Sequence, residues 1–165
     1  LGGPNHVAME LLQQRTGARF NHIPYKGAAP GLQDLLAGQI QFMLVDTASS
    51  MSFIKAGKLR ALAVSMPQRL AVLPDVPTVA EAGVPDFEAY SWQGVMTPAG
   101  TPPGVFGRLR TELGKAVKGG AVGRRLPETG VEPAPSTSAE FTRHVHKQAV
   151  MWGEVIRKAN IKLEG

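Results

Sequence analysis

The residues in this chain that could do chemistry are small polar clusters that follow apolar runs, not paired acids or a nucleophile beside its base. Tyr25-Lys26-Gly27-Ala28-Ala29 follows the run 19–24, Asp46-Thr47-Ala48-Ser49 follows 39–45, and Ser65-Met66 follows 59–64. If the three runs are parallel strands, all three clusters lie beyond their carboxyl ends, where an open sheet forms its ligand crevice. Helices starting near Pro30 and Thr47 would aim their first turns into that crevice, presenting unpaired N–H groups and the positive end of the helix dipole. Each helix end is worth only about 0.3–1 kcal/mol to a nearby charge, so affinity requires several donors on one small anion. A carboxylate can accept several hydrogen bonds at once.

The same residues have plainer roles. Thr47 or Asp46 can cap its own helix through its side chain, and Asn5, after Pro4, is a candidate N-cap for the first helix. Lys26-Gly27 can be a solvated turn. Tyr25 and Trp92 can wall an apolar pocket or simply pack between elements.

Other chemistries find less support. His144 and His146 stand about 200° apart around a helix and cannot share a metal without distortion. Ser49, Ser50 and Ser52 lack a Gly-x-Ser-x-Gly elbow, and His6 and His22 have no Asp evident in the sequence to orient them. No glycine pair is followed by Lys-Ser or Lys-Thr, so there is no phosphate loop. Cysteine is absent from the 165 residues, which removes disulfides, thiolate nucleophiles and sulfur-bound metals. No metal site, cofactor or catalytic centre is expected. Eighteen Lys and Arg against thirteen Asp and Glu leave a net charge of +5, with no long basic run and no interleaved aromatics to stack bases. That surplus alone supports the competing reading, a basic interaction domain that binds nucleic acid or an acidic partner surface.

Positioning the clusters falls to an α/β arrangement. The pattern predicts a helix over 6–16, a strand over 19–24, a short helix carrying Leu32, Leu35 and Leu36 to Gly38, and a strand over 39–45. A helix with Met51 and Ile54 to Gly57 and a strand over 59–64 complete a right-handed parallel βαβ unit. Thr78 is expected to cap a short helix ending at Gly83, residues 88–97 to run extended, and Thr101 to cap a helix after the 98–103 loop. Beyond that loop, Phe106, Leu109, Leu113 and Val117 form one helical stripe, and Phe141, Val145, Trp152 and Ile156 form a second within 137–160. A helical tail with two apolar stripes needs something to pack on. A partner sheet is therefore expected outside this chain, and without it the tail helices should be mobile, misplaced or docked on another copy through self-association. No apolar run approaches the roughly 20 residues of a membrane span.

Six ordered blocks resemble a known family. They are Gly3-Pro4-Asn5-His6; His22-Ile23-Pro24-Tyr25-Lys26-Gly27 with Pro30 and Asp34-Leu35-Leu36; Gly38-Gln39-Ile40-Gln41-Phe42-Met43; Lys55 to Val64; Leu73 to Gly83; and Trp92-Gln93-Gly94 with Pro98 to Pro102. Together they are similar to the tripartite tricarboxylate transporter substrate-binding receptors, the Bug family. The resemblance implies a periplasmic binding protein-like fold of type 2: a parallel-sheet lobe with helices on both faces, plus a helical C-terminal segment belonging to an incomplete first lobe. It implies residues 1–95 as the second lobe and 96–165 as the crossover and closing helices of the first, whose opening part and signal peptide would lie outside this chain. It implies a periplasmic solute-binding receptor, not an enzyme, that hands a small carboxylate to membrane permease subunits and holds it through backbone amides, small polar side chains and waters. Nucleic acid is not a partner on this reading. The ligand-binding residues it implies are Asn5, His6, Tyr25, Gly27, Asp46, Thr47 and Trp92, with Asp46 better suited to capping than to touching an anion.

Overall fold

A computed structural model of the chain describes residues 2–161. The first helix, α1 (Pro4–Thr16), starts at the proline, whose fixed φ and missing N–H suit a first turn. The residue at the N-cap is therefore Gly3, whose carbonyl accepts Val7 N–H at 3.1 Å. Asn5 lies inside the first turn and does not cap the helix, which corrects the expectation for that residue. Val7, Ala8 and Leu11 form the buried face of α1.

Helices α2 (Ala28–Leu36) and α3 (Thr47–Lys55) end in the same way. Gly38 and Gly57 take the left-handed turn at φ 74° and 67°. In α2, Gly38 N–H reaches Leu35 O at 3.1 Å and Gln39 N–H reaches Asp34 O at 2.8 Å. In α3, Gly57 N–H reaches Ile54 O at 3.0 Å and Lys58 N–H reaches Phe53 O at 2.9 Å. Both sites are Schellman turns, which use up the last carbonyls of each helix and send the chain back along it. Helix α2 begins two residues before Pro30, which the first turn tolerates because N–H groups there have no intrahelical partner.

The runs expected to be strands carry no ladder among the described residues; the one bridge there is parallel, between Val64 and Thr78. Val64 N–H donates to Pro77 O and Val79 N–H to Val64 O, each at 2.9 Å, and Ala89 N–H donates to Ser65 O at 3.0 Å. Pro77 has no N–H beside that bridge, and Pro74 precedes it, so the partner segment cannot extend the pairing. The helix expected after Thr78 is instead one capped turn: Glu81 N–H donates to Thr78 Oγ1 at 3.0 Å, and Thr78 N–H donates to Glu81 Oε2 at 2.7 Å. Gly83, at φ 110°, and Pro85 stop it there.

The core gathers Val7, Ala8, Leu11, Phe87, Ala89 and Val155, with Leu44, Val79, Val84, Trp152 and Ile161 packed against it. Val155 belongs to α6 (Ser138–Lys158), which starts with a reciprocal capping box between Thr137 and Glu140. The far half of the last helix thus packs into the core built by residues 1–95. Gln14 Nε2 also donates to Val155 O at 3.3 Å across that contact.

Helix α4 (Pro103–Gly119) is different. It has no buried residue and packs, among the described elements, against the short α5 (Ala121–Arg125), which leads into a 3-10 turn at Pro127–Thr129. Its stripe is open, with Phe106, Leu109 and Leu113 each about 40% exposed (38%, 43% and 40%). Of the two stripes, that of α6 is partly covered, with Phe141, Val145 and Trp152 half-buried, Ile156 exposed and the adjacent Val155 reaching the core, and that of α4 is open. Pro102 holds the N-cap position of α4 with no side-chain cap, so Thr101 does not cap it; the Thr101 hydroxyl donates to Pro98 O at 2.8 Å instead.

Candidate functional site

Helices α2 and α3 pack side by side and leave a groove of about 240 Å³ between them. Ala28 and Ala29 at the start of α2 and Ser49 in the first turn of α3 line it, with Leu32, Leu36 and Phe53 along its length. Two of the polar clusters singled out in the sequence therefore meet at one feature. Gly31 is what lets this part close up: a Cβ there would lie 2.9 Å from Met43 Cε and 3.3 Å from Tyr25 Cδ2.

Neither helix start is capped by a side chain. Gly27 at the N-cap of α2 has none to offer. At α3, Asp46 occupies the N-cap position, but only its backbone carbonyl is engaged, by Ser49 N–H at 3.1 Å and by Ser50 Oγ at 3.3 Å. No side-chain cap from Asp46 or Thr47 forms: Ser49 N–H, a donor such a cap would take, goes to the Asp46 carbonyl instead, and the buried Ser50 hydroxyl separately donates back to the carbonyls of residues 46 and 47. The first N–H groups of both helices, at residues 28–29 and 47–48, stay available as donors.

Tyr25 is held from its loop onto α2, its hydroxyl donating to Asp34 Oδ2 at 2.8 Å. That hydrogen bond is the main cause of a raised Tyr25 pKa, followed by desolvation and the Asp34 charge. Asp34 entered the sequence reading only as part of a matching block. Its signal was the helical placement of an acid nine residues beyond an aromatic loop.

His6 and His22 stack with ring centroids 3.9 Å apart and planes 20° apart. Gly2 N–H donates to His6 Nδ1 at 3.0 Å, so that nitrogen is an acceptor, and His6 Nε2 lies 3.7 Å from Glu10 Oε1. His6 therefore has an acidic partner after all, one turn along α1 at the i,i+4 spacing of facing residues. Burial, and then the neighbouring His6, lower the His22 pKa. Asn5 is half-buried beside this stack in sequence and joins no side-chain hydrogen bond among the described residues.

Trp92 goes elsewhere. It packs edge-on against Phe141, 5.5 Å between centroids, and against His144 at 5.2 Å, both on α6. Like the other six candidates, it is not among the groove-lining residues. Of the seven candidates, Gly27, Asp46 and Thr47 stand at the two helix starts, Tyr25 reaches α2, Asn5 and His6 occupy the start of α1, and Trp92 packs on α6. Among the described residues no group of three His, Asp or Glu could hold a metal ion, and no helix is long and apolar enough to cross a membrane.

The chain as a whole is similar to known proteins. Protein BugT of Bordetella pertussis is 35% identical over 164 residues, covering 99% of this chain and 50% of that protein. A protein from a clcB–clcD intergenic region of Pseudomonas knackmussii is 33% identical, covering 94% of this chain and 93% of its own length. Among solved structures, an R. palustris protein with adipate superposes with a TM-score of 0.84 at 34% identity, covering 97% of this chain and 54% of that one. The periplasmic binding protein BugD superposes with a TM-score of 0.79 at 31% identity, covering 97% and 54%. MatC from Rhodopseudomonas palustris, solved with bound malate, gives 0.75 at 28% identity, covering 92% and 53%. The chain spans about half the length of the first curated relatives it matches. These structural neighbours are solute-binding proteins, so the periplasmic binding protein-like fold stands. The family description "Tripartite tricarboxylate transporter family receptor" matches residues 1–161, and the chain belongs to that family.

Proposed function

We propose that the chain is the carboxylate-binding lobe of a periplasmic solute receptor that passes its ligand to a membrane permease of the tripartite tricarboxylate type. The observation that carries this reading is the pair of uncapped helix starts, α2 after Gly27 and α3 after Asp46, in a chain that matches the family over residues 1–161. Four unpaired amides and two helix N-termini favour an anion over a cation or a neutral solute. Relatives solved with adipate and with malate bind small carboxylates, in keeping with this choice. The comparisons lend no support to the nucleic-acid or acidic-surface alternative.

On this reading residues 1–95 form the second lobe, with 19–24, 39–45 and 59–64 as its parallel strands, and residues 96–165 return to the first. The open stripe of α4 then faces the remainder of the first lobe, or a second copy of this chain when that remainder is absent. Thr47, Gly27 and Tyr25 contact or frame the ligand, Asn5 and His6 flank it, Asp46 sets the start of α3, and Trp92 braces the crossover. A single lobe supplies only part of the donor set, so its affinity for a free carboxylate is on the order of millimolar. Calorimetry with adipate and malate tests the reading: Thr47→Ala should weaken binding without unfolding the chain. Equal affinity in the variant would remove Thr47 from the site.

A further inference from the structure

Thr47 carries a contact from far along the chain. The turn after α5 closes through Thr129 N–H to Leu126 O at 3.0 Å and Val131 N–H to Leu126 O at 3.1 Å, leaving Gly130 left-handed at φ 77°. Gly130 sits directly against Thr47. A Cβ built on it would lie 2.7 Å from Thr47 Cγ2 and 2.9 Å from Thr47 Cβ, but 3.5 Å from Oγ1. The turn and α3 are neighbouring elements through this contact. The methyl of Thr47 is therefore the group pressed against the turn, with the hydroxyl farther off at ordinary contact distance. That hydroxyl makes no hydrogen bond to another described residue and remains able to donate or accept.

We propose that Gly130 is a positioning residue for the binding site: its bare backbone seats the Leu126–Val131 turn on the Thr47 methyl and holds the Thr47 hydroxyl in one rotamer at the start of α3. Threonine otherwise divides between rotamers because its hydroxyl and methyl compete for the same staggered positions. Packing on one side removes that choice. The returning segment of the chain thereby acts on the site without touching ligand, and a residue larger than glycine at 130 would push the turn off Thr47 or turn the threonine over. The proposal rests on the reading of α3's first turn as part of a carboxylate site.

Two measurements separate the contact from that reading. In the labelled wild-type chain, three-bond couplings to the Thr47 methyl carbon should report a single rotamer, and a strong nuclear Overhauser effect should connect that methyl to Gly130 Hα. Couplings averaged over rotamers, or no such effect, overturn the proposal with no variant needed. Gly130→Asn tolerates a left-handed backbone while adding a Cβ, so it should average the Thr47 couplings and weaken adipate binding about two- to tenfold, the loss of roughly one hydrogen bond. The same change made on Thr47→Ala should cost nothing further, because Gly130 acts through Thr47. An additive loss in the double variant, or unchanged couplings in Gly130→Asn, overturns the proposal. Failure of the wild-type chain to bind adipate would count against the carboxylate reading, while the couplings still decide the role of Gly130.

Discussion

Replacing Val155 by alanine should loosen the last helix from the body of the chain. Val155 is 4% exposed and belongs to the core with Val7, Leu11 and Phe87. The change removes two methyl groups, worth about 1.6 kcal/mol in transfer at roughly 0.8 kcal/mol each. The cavity left behind brings the total to about 2–3 kcal/mol. With a urea slope of about 1–3 kcal/mol per molar for a small protein, the midpoint should fall by about 1 M. Tryptophan fluorescence reports the event directly, since both tryptophans lie at this helix: Trp152 is on it, and Trp92 packs against its Phe141 and His144. Leu109→Ala is the comparison, because Leu109 lies on the α4 stripe and is 43% exposed; it should cost under about 0.5 kcal/mol. Equal losses from the two variants, or no loss from Val155→Ala, would refute the assignment of α6 to this core.

Other perturbations probe separate contacts. Gly94→Ala would put a Cβ 2.8 Å from Phe141 Cε2, so it should destabilise by about 1–3 kcal/mol and be relieved by Phe141→Leu, both read by urea melts. The Glu81 carboxyl is held below its ordinary range by Arg69 first and then by the Thr78 amide. Its contribution to stability is therefore present above the ordinary carboxylate range and is lost as the pH falls through the lower folded value. Arg69→Gln should flatten that acid limb of the Tm profile, and an unchanged limb would assign it to other groups. Leu109→Glu should abolish concentration-dependent association in sedimentation velocity, if the α4 stripe is what copies of this chain share; a wild-type chain that stays monomeric contradicts that expectation.

Much of the local architecture was legible because it rests on neighbours in sequence. Gly38 and Gly57 stop α2 and α3 by turns completed within six residues, and the stripe from Phe141 to Ile156 marks α6 by its own period. The two uncapped helix starts were legible as places, near Pro30 and Thr47, although α2 begins two residues earlier at Ala28, but the absence of a side-chain cap was not. It depends on which acceptor a first-turn amide takes, and Ser49 N–H takes the Asp46 carbonyl over any side chain. Asn5 misled because a good capping residue next to proline loses to the proline's own fitness for the first helical position. Of the runs read as strands, 59–64 makes the one bridge among the described residues, and Pro77 beside it withholds the donor that would extend that pairing. Contacts across long stretches of chain left no local mark: Trp92 on Phe141, and Gly130 on Thr47.

The central claim is that a small carboxylate binds at the starts of α2 and α3. An amide-resolved NMR titration of the ¹⁵N-labelled chain with adipate measures this most directly. The account predicts saturable shifts concentrated at Ala28, Ala29, Thr47, Ala48 and Ser49, and much weaker shifts in Thr47→Ala. Saturable shifts centred elsewhere, or none at concentrations well above millimolar, would contradict it.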